Sequence, residues 1–251
     1  MPAAPDQRYL RETLRPWQRQ MQRAPSLLDR LTHRVQARLN GLLPERVHRL
    51  VTGAIQHMVQ GVLAGAGLVT RRPLAGVPFA EREAAAWARI KGYRLAATAE
   101  GAATGAGGFW LGLADFPLLL GLKLKLLFEL AALYGYDARD YTERLYVLHV
   151  LQLAFSSQHT RNLTYQRLAN WPAYRATLPP DASAFDWRAF QQEYRDYLDL
   201  AKLAQLLPVI GAPVGAIANY RLLRQLGRTA MNCYRLRHLA ELEANAVVAM
   251  Q

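Results

Sequence analysis

Apolar residues recur at spacings of three and four along nearly the whole chain, which is the period of an amphipathic helix and not of a strand. Leu10, Leu14, Trp17 and Met21 share one face of a first helix, and Arg8, Arg11, Arg15, Arg19 and Arg23 occupy the other. Pro16 has no N–H and opposes the carbonyl of Glu12, so a break is expected there, with Pro16 opening a second helical piece. Ser26 followed by Asp29 is close to a capping box and starts a stripe of Leu27, Leu28, Leu31, Val35, Leu39 and Leu42. Pro44 suits a first helical position, and the next stripe runs from Val47 through Ile55 to Val62. A loop over 71–78 and an alanine-rich helix over 79–98 follow.

The middle of the chain breaks the amphipathic pattern. Residues 101–122 read GAATGAGGFWLGLADFPLLLGL, a small-residue run ending at Asp115 and Pro117. A carboxylate just before proline suits a helix N-terminus, where it caps free N–H groups at the positive end of the dipole. The helix predicted over 117–134 is apolar on almost every side, and such a helix is buried or faces lipid. Gly135 is its expected left-handed C-cap. Asp140 and Glu143 open another largely apolar helix over 141–157. Residues 170–186 read as a long surface connection, and Asp186 starts a helix to about 207. A Pro/Gly-punctuated apolar element over 207–220 and a final helix over 222–250, with a hitch at Gly227, complete the chain. The prediction is an all-α, single-domain helical bundle with nearly all-apolar central helices buried inside it. Residues 1–16 form a basic arm, 17–240 the domain and 241–251 a tail.

Composition narrows the partners. The 251 residues carry 31 Lys plus Arg against 19 Asp plus Glu, a formal charge of +12, which favours acidic partners. All but four of those cations are Arg, a bias that a GC-rich genome also produces. They concentrate in 8–49 and in 202–237, the second stretch without an acid. A single thiol, Cys233, excludes an internal disulfide framework and any Cys-x-x-Cys site. The first 25 residues hold no apolar run that could serve as a secretory signal. Fourteen apolar residues reach about 21 Å as a helix, short of a hydrocarbon core of about 30 Å. A cytoplasmic protein, peripheral to the inner membrane face, is the expectation.

Catalytic strings are missing. There is no phosphate-cradling Gly-x-x-x-x-Gly-Lys loop, no His-Glu-x-x-His and no Gly-x-Ser-x-Gly elbow. No two of the six histidines stand three or four residues apart, so no metal pair on one helix face and no cofactor is expected. Asp115 stands out as a carboxylate in an apolar run: a helix cap, an ion-pair partner of Lys123, or part of a pocket together with Asn219. Gly61/Gly65, Gly101/Gly105, Gly108/Gly112 and Gly211/Gly215 have the spacing that lets another helix approach closely.

Longer segments carry a resemblance. Residues 112–151 (GLADFPLLLGLKLKLLFELAALYGYDARDYTERLYVLHVL), Trp17 with 44–59 (PERVHRLVTGAIQHMV), and 207–220 with 227–234 resemble the bacterial EcsC family, from about Trp17 to Leu239. Asp115, Pro117, Tyr134, Gly135, Asp137, Pro208, Gly211, Gly215 and Asn219 are the matching positions. The family's namesake is encoded beside an ABC transporter, and the resemblance carries over no catalytic residue. The leading expectation is a non-enzymatic accessory protein at the membrane face, meeting anionic lipid or a membrane protein. Arg8, Arg11, Arg15, Arg19, Arg23, Arg221, Arg224 and Arg228 are its candidate contacts; nucleic acid is disfavoured because no binding module accompanies the charge. The rival expectations are an enzyme or small-ligand protein with an interhelical pocket framed by Asp115 and Asn219, and a helical lipid carrier.

Overall fold

The computed structural model describes residues 5–23, 45–63, 71–105, 116–156, 158–180, 182–186, 188–190 and 211–248. Its helices are α1 (Pro5–Gln22), α2 (Glu45–Leu63), α3 (Phe79–Gly105), α4 (Phe116–Leu133), α5 (Tyr141–Phe155), α6 (Gln158–Ala169), α7 (Trp171–Ala176) and α8 (Gly211–Val248), with one 3₁₀ turn at Ala182–Ala184. There is no strand among the described residues.

The apolar character of α4 and α5 decides the architecture. Without a polar face, each must be surrounded by protein to leave water. Leu120, Leu124 and Leu126–Tyr134 are buried, and so is every residue of α5 except Arg144. Helices α2, α3, α6 and α8 pack around this pair. Asp140 caps α5 as its sequence suggests, its side chain accepting from the Thr142 N–H at 2.9 Å. Gly135 ends the turn after α4 with φ +94°, where a Cβ would stand 2.9 Å from Arg82 Nη1 and 3.1 Å from the Leu74 carbonyl oxygen. Arg82 Nη1 donates to the Tyr134 carbonyl, and the Leu74 N–H to that of Ala132, which ties the 71–78 loop to the end of α4.

Helix α8 runs antiparallel to α3, pairing Arg235 with Glu83, Ile90 with Gly227 and Tyr220 with Arg94. The expected separate element over 207–220 and the hitch at Gly227 do not occur within 211–248. Pro213 sits in the first turn of α8, where its missing N–H has no intrahelical partner to lose. Gly227 is a point of close approach: a Cβ there would lie 2.7 Å from both Cδ1 and Cγ1 of the buried Ile90. An alanine in a helix interior ordinarily gains about 1 kcal/mol over glycine. Gly227→Ala is nevertheless expected to lower stability by about 1–3 kcal/mol in urea unfolding, because Ile90 must move within a packed core. Ile90→Ala in the same chain should remove most of the added strain. By contrast, a Cβ at Gly61 meets nothing within 4 Å, so that glycine marks no close helix approach.

Two other expectations are corrected. α1 continues through Pro16; both Pro16 and Glu12 are exposed, and on the solvent side of a helix the bond that proline removes costs less than in a core. The stretch 170–186 is not a surface connection throughout, since it begins with α7 and buries Trp171 in the core against Tyr146, with ring centroids 4.8 Å apart. Residues 158–169, polar on average, form α6. α1 and α8 are joined by Leu10 and Leu14 against Leu239 and by Gln7 Nε2 donating to the Leu242 carbonyl. The helix expected over 26–42 lies outside the described residues.

Candidate functional site

Two features stand out on α3. The first is a face it forms with α8. Trp87, Lys91, Arg94 and Leu95 fall on one side of α3, and Ile217, Arg221, Arg224 and Arg228 form one line along α8 at helical spacing. Trp87 is 38% exposed, Leu95 62%, Ile217 53% and Tyr220 37%, so this is a patch of large apolar and aromatic side chains in water. Arg94 stacks over the Tyr220 ring, 3.9 Å from its centroid, and Trp87, Ala88, Lys91, Arg94, Leu95 and Tyr220 line a shallow cleft of about 350 Å³. Partial burial and the neighbouring Arg224 and Arg228 guanidiniums lower the pKa of Arg94 from its ordinary value. Between Glu83 and Glu100 on α3, and over 211–240 on α8, the sequence holds no acid.

The second is a larger cleft, of about 620 Å³, between α3, α4 and α8. Ala85, Ala88, Gly92 and Ala96 form its α3 wall, and Leu122, Leu133 and Leu223 add apolar surface. At its floor the buried Lys123 Nζ donates to Asn219 Oδ1 at 3.0 Å. The Glu129 carboxylate is paired with Arg89, Nε to Oε2 at 2.9 Å, and accepts from the Tyr93 hydroxyl at 3.1 Å. Burial and that carboxylate push the Tyr93 phenol well above its usual range.

The candidate residues that the structure describes lie in separate places. Asn219 lines the larger cleft, whereas Asp115 and Pro208 lie outside the described residues, as does the 106–115 glycine run. Pro117 is exposed in the first turn of α4. Tyr134 is buried, its hydroxyl donating to Glu83 Oε1 at 2.7 Å and its ring stacked on Tyr234 at 5.0 Å. Gly135 shapes the α4–α5 turn, and Asp137 is held below its ordinary pKa by hydrogen bonds from the Arg139 side chain. Gly211 and Gly215 belong to the start of α8.

The basic candidates separate too. Arg8, Arg15, Arg19 and Arg23 are exposed, and Arg11 pairs with Glu243 at 2.8 Å. α1 therefore lies at the far end of α8 from Arg221, Arg224 and Arg228, which are all exposed. Arg235 and Arg237, from the same basic stretch, turn inward to Glu83 and Glu143. Sequence reading passed over Trp87, Lys91, Arg94 and Leu95; their spacing of four, three and one, in an acid-free stretch, was the available signal.

No group of three or more His, Cys, Asp or Glu among the described residues could hold a metal ion, and no described helix is long and apolar enough to cross a membrane. Burial pushes the Cys233 thiol upward, so it is an inert core residue. The fold and its surfaces define an all-α protein whose two apolar helices are wrapped by amphipathic ones, with a basic, aromatic outer face.

The chain belongs to the EcsC protein family, whose family model matches residues 8–239. It is 42% identical over 237 residues to Protein EcsC of Bacillus subtilis (strain 168), covering 94% of this chain and 98% of that one. It is 30% identical over 234 residues to the Uncharacterized protein YdbA of the same organism, covering 90% and 86%. No solved structure matches the chain.

Proposed function

We propose that the protein is an accessory protein that docks on an anionic membrane surface through the α3/α8 face. The observation that carries this reading is the exposed set Trp87, Leu95, Ile217 and Tyr220 set among Lys91, Arg94, Arg221, Arg224 and Arg228. Exposed aromatics and long cations suit the headgroup region, where an amphipathic ring has one side in hydrocarbon and a cationic tip reaches phosphate. Each cation close to an anionic leaflet adds about 1 kcal/mol, so five acting together favour a reversible, salt-sensitive attachment. α1 has exposed arginines but is interrupted by Glu12 and the Arg11–Glu243 pair, and so is the weaker of the two basic surfaces.

Vesicle flotation tests the reading. The protein is expected to float with phosphatidylglycerol vesicles at low salt, to remain behind with phosphatidylcholine, and to be released by 0.5 M salt. Arg221→Glu, Arg224→Glu and Arg228→Glu together should reduce recovery at least tenfold, while the same change at Arg8, Arg15 and Arg19 has a small effect. Equal flotation with neutral and anionic vesicles, or full recovery of the α8 variant, would refute it.

A further inference from the structure

The α3/α4/α8 cleft adjoins the docking patch, among the described residues, only at Ala88 of α3, and its chemistry is of another kind. Among the described residues that line it, Arg71, Arg89, Lys123 and Lys125 face a single carboxylate, Glu129. A cleft of this charge balance accepts an anion. Its wall of Ala85, Ala88, Gly92, Ala96 and Leu122 offers apolar surface beside the cations, which an inorganic ion leaves unused. Glu129 is already partnered, with Arg89 Nε 2.9 Å from its Oε2 and the Tyr93 hydroxyl donating to its Oε1. An occupant with an anionic head and an apolar chain answers both features at once. The volume, about 620 Å³, is that of a small-molecule site.

We infer that the cleft binds a single-chain amphiphile with a phosphate head, with the phosphate among Arg71, Arg89, Lys123 and Lys125 and the chain along the α3 wall. Asn219 orients Lys123 through their hydrogen bond and acts as a positioning residue. This site is independent of the docking proposal, because none of Trp87, Leu95, Ile217, Arg221, Arg224 or Arg228 lines it.

Gly92 supplies a clean way to close the cleft. It lines the wall with an ordinary helical backbone, and a Cβ there meets nothing within 4 Å. Gly92→Leu therefore projects a side chain toward the space from an unhindered Cβ, and leucine is the better helix former. Its thermal midpoint should equal or exceed that of the unmodified protein.

Isothermal titration below the micelle concentration tests the inference with four probes. Lauroyl lysophosphatidate and dodecyl phosphate are each expected to bind one to one, and glycerol 3-phosphate, without the chain, at least a hundredfold more weakly than either. Dodecyltrimethylammonium should not bind. Gly92→Leu should abolish binding with the fold intact, and Lys125→Glu should weaken it at least tenfold. The inference is overturned if lysophosphatidate does not bind, if the cationic amphiphile binds as well, or if Gly92→Leu binds unchanged. Glycerol 3-phosphate binding as tightly as lysophosphatidate would identify a soluble phosphate ester as the ligand and overturn the role given to the apolar wall.

Discussion

Glu83→Ala is expected to destabilise the protein by about 3–5 kcal/mol, the cost of leaving a buried charge without its partner. Glu83 on α3 accepts from Arg235 of α8 at both oxygens, Nε to Oε1 at 2.9 Å and Nη2 to Oε2 at 2.6 Å. It also accepts from the Tyr134 hydroxyl at the end of α4, at 2.7 Å. The substitution strands a guanidinium whose side chain is 9% exposed and a phenol in the core. For a chain of this length the loss corresponds to a fall in Tm of roughly 6–20 °C. Replacing Glu83, Arg235 and Tyr134 together by Leu, Leu and Phe should recover most of it, since a buried pair is worth little more than an apolar set of similar volume. Urea unfolding of the single and triple variants is the check. A single variant within 1 kcal/mol of the parent means that these helices are not held against each other as described.

The second large effect is a loss of stability in acid that His149 causes. Its imidazole lies within α5 among the rings of Trp171, Tyr174 and Phe190, with Nδ1 3.0 Å from Gln152 Oε1. Burial lowers its pKa from 6.5 to about 4, and Arg167 pushes in the same direction. The unfolded chain therefore binds this proton at a higher pH than the folded one. The stability it confers is complete above pH 6.5, falls as the pH drops from there, and is lost by about pH 4. A shift of this size is worth about 3 kcal/mol. Unfolding free energies measured from pH 7.5 to 4.5 should decline along that window, and His149→Phe should flatten the decline even if it lowers stability at pH 7. An equal slope in the two proteins would show that other groups carry the acid response.

What the sequence revealed and what it hid follow from the range of the interactions. The all-α class was readable because α4 and α5 are apolar on every side over 18 and 15 residues, which is longer than a buried strand runs. Asp140 and Gly135 were readable because a cap and a left-handed turn are local. Pro16 misled because proline's cost depends on which side of the helix it stands, and Pro16 and Glu12 are exposed. Trp171 was hidden by the proline beside it, although proline is at home in the first turn of α7. The core pairs Glu83–Arg235 and Glu143–Arg237 join residues far apart in sequence, so the arginines of 235 and 237 read as part of a solvated basic run. The two clefts require α3, α4 and α8 in place. Only then do Trp87 and Leu95 emerge as exposed and Lys123 as buried.

Trp87 makes the docking face directly measurable. Phosphatidylglycerol vesicles with brominated acyl chains quench only those indoles that reach the hydrocarbon. Wild-type fluorescence should fall markedly on addition of these vesicles, and Trp87→Phe should lose most of the quenching while still floating with them. If the variant is quenched as strongly as the parent, the membrane is met by another surface and the α3/α8 assignment is wrong.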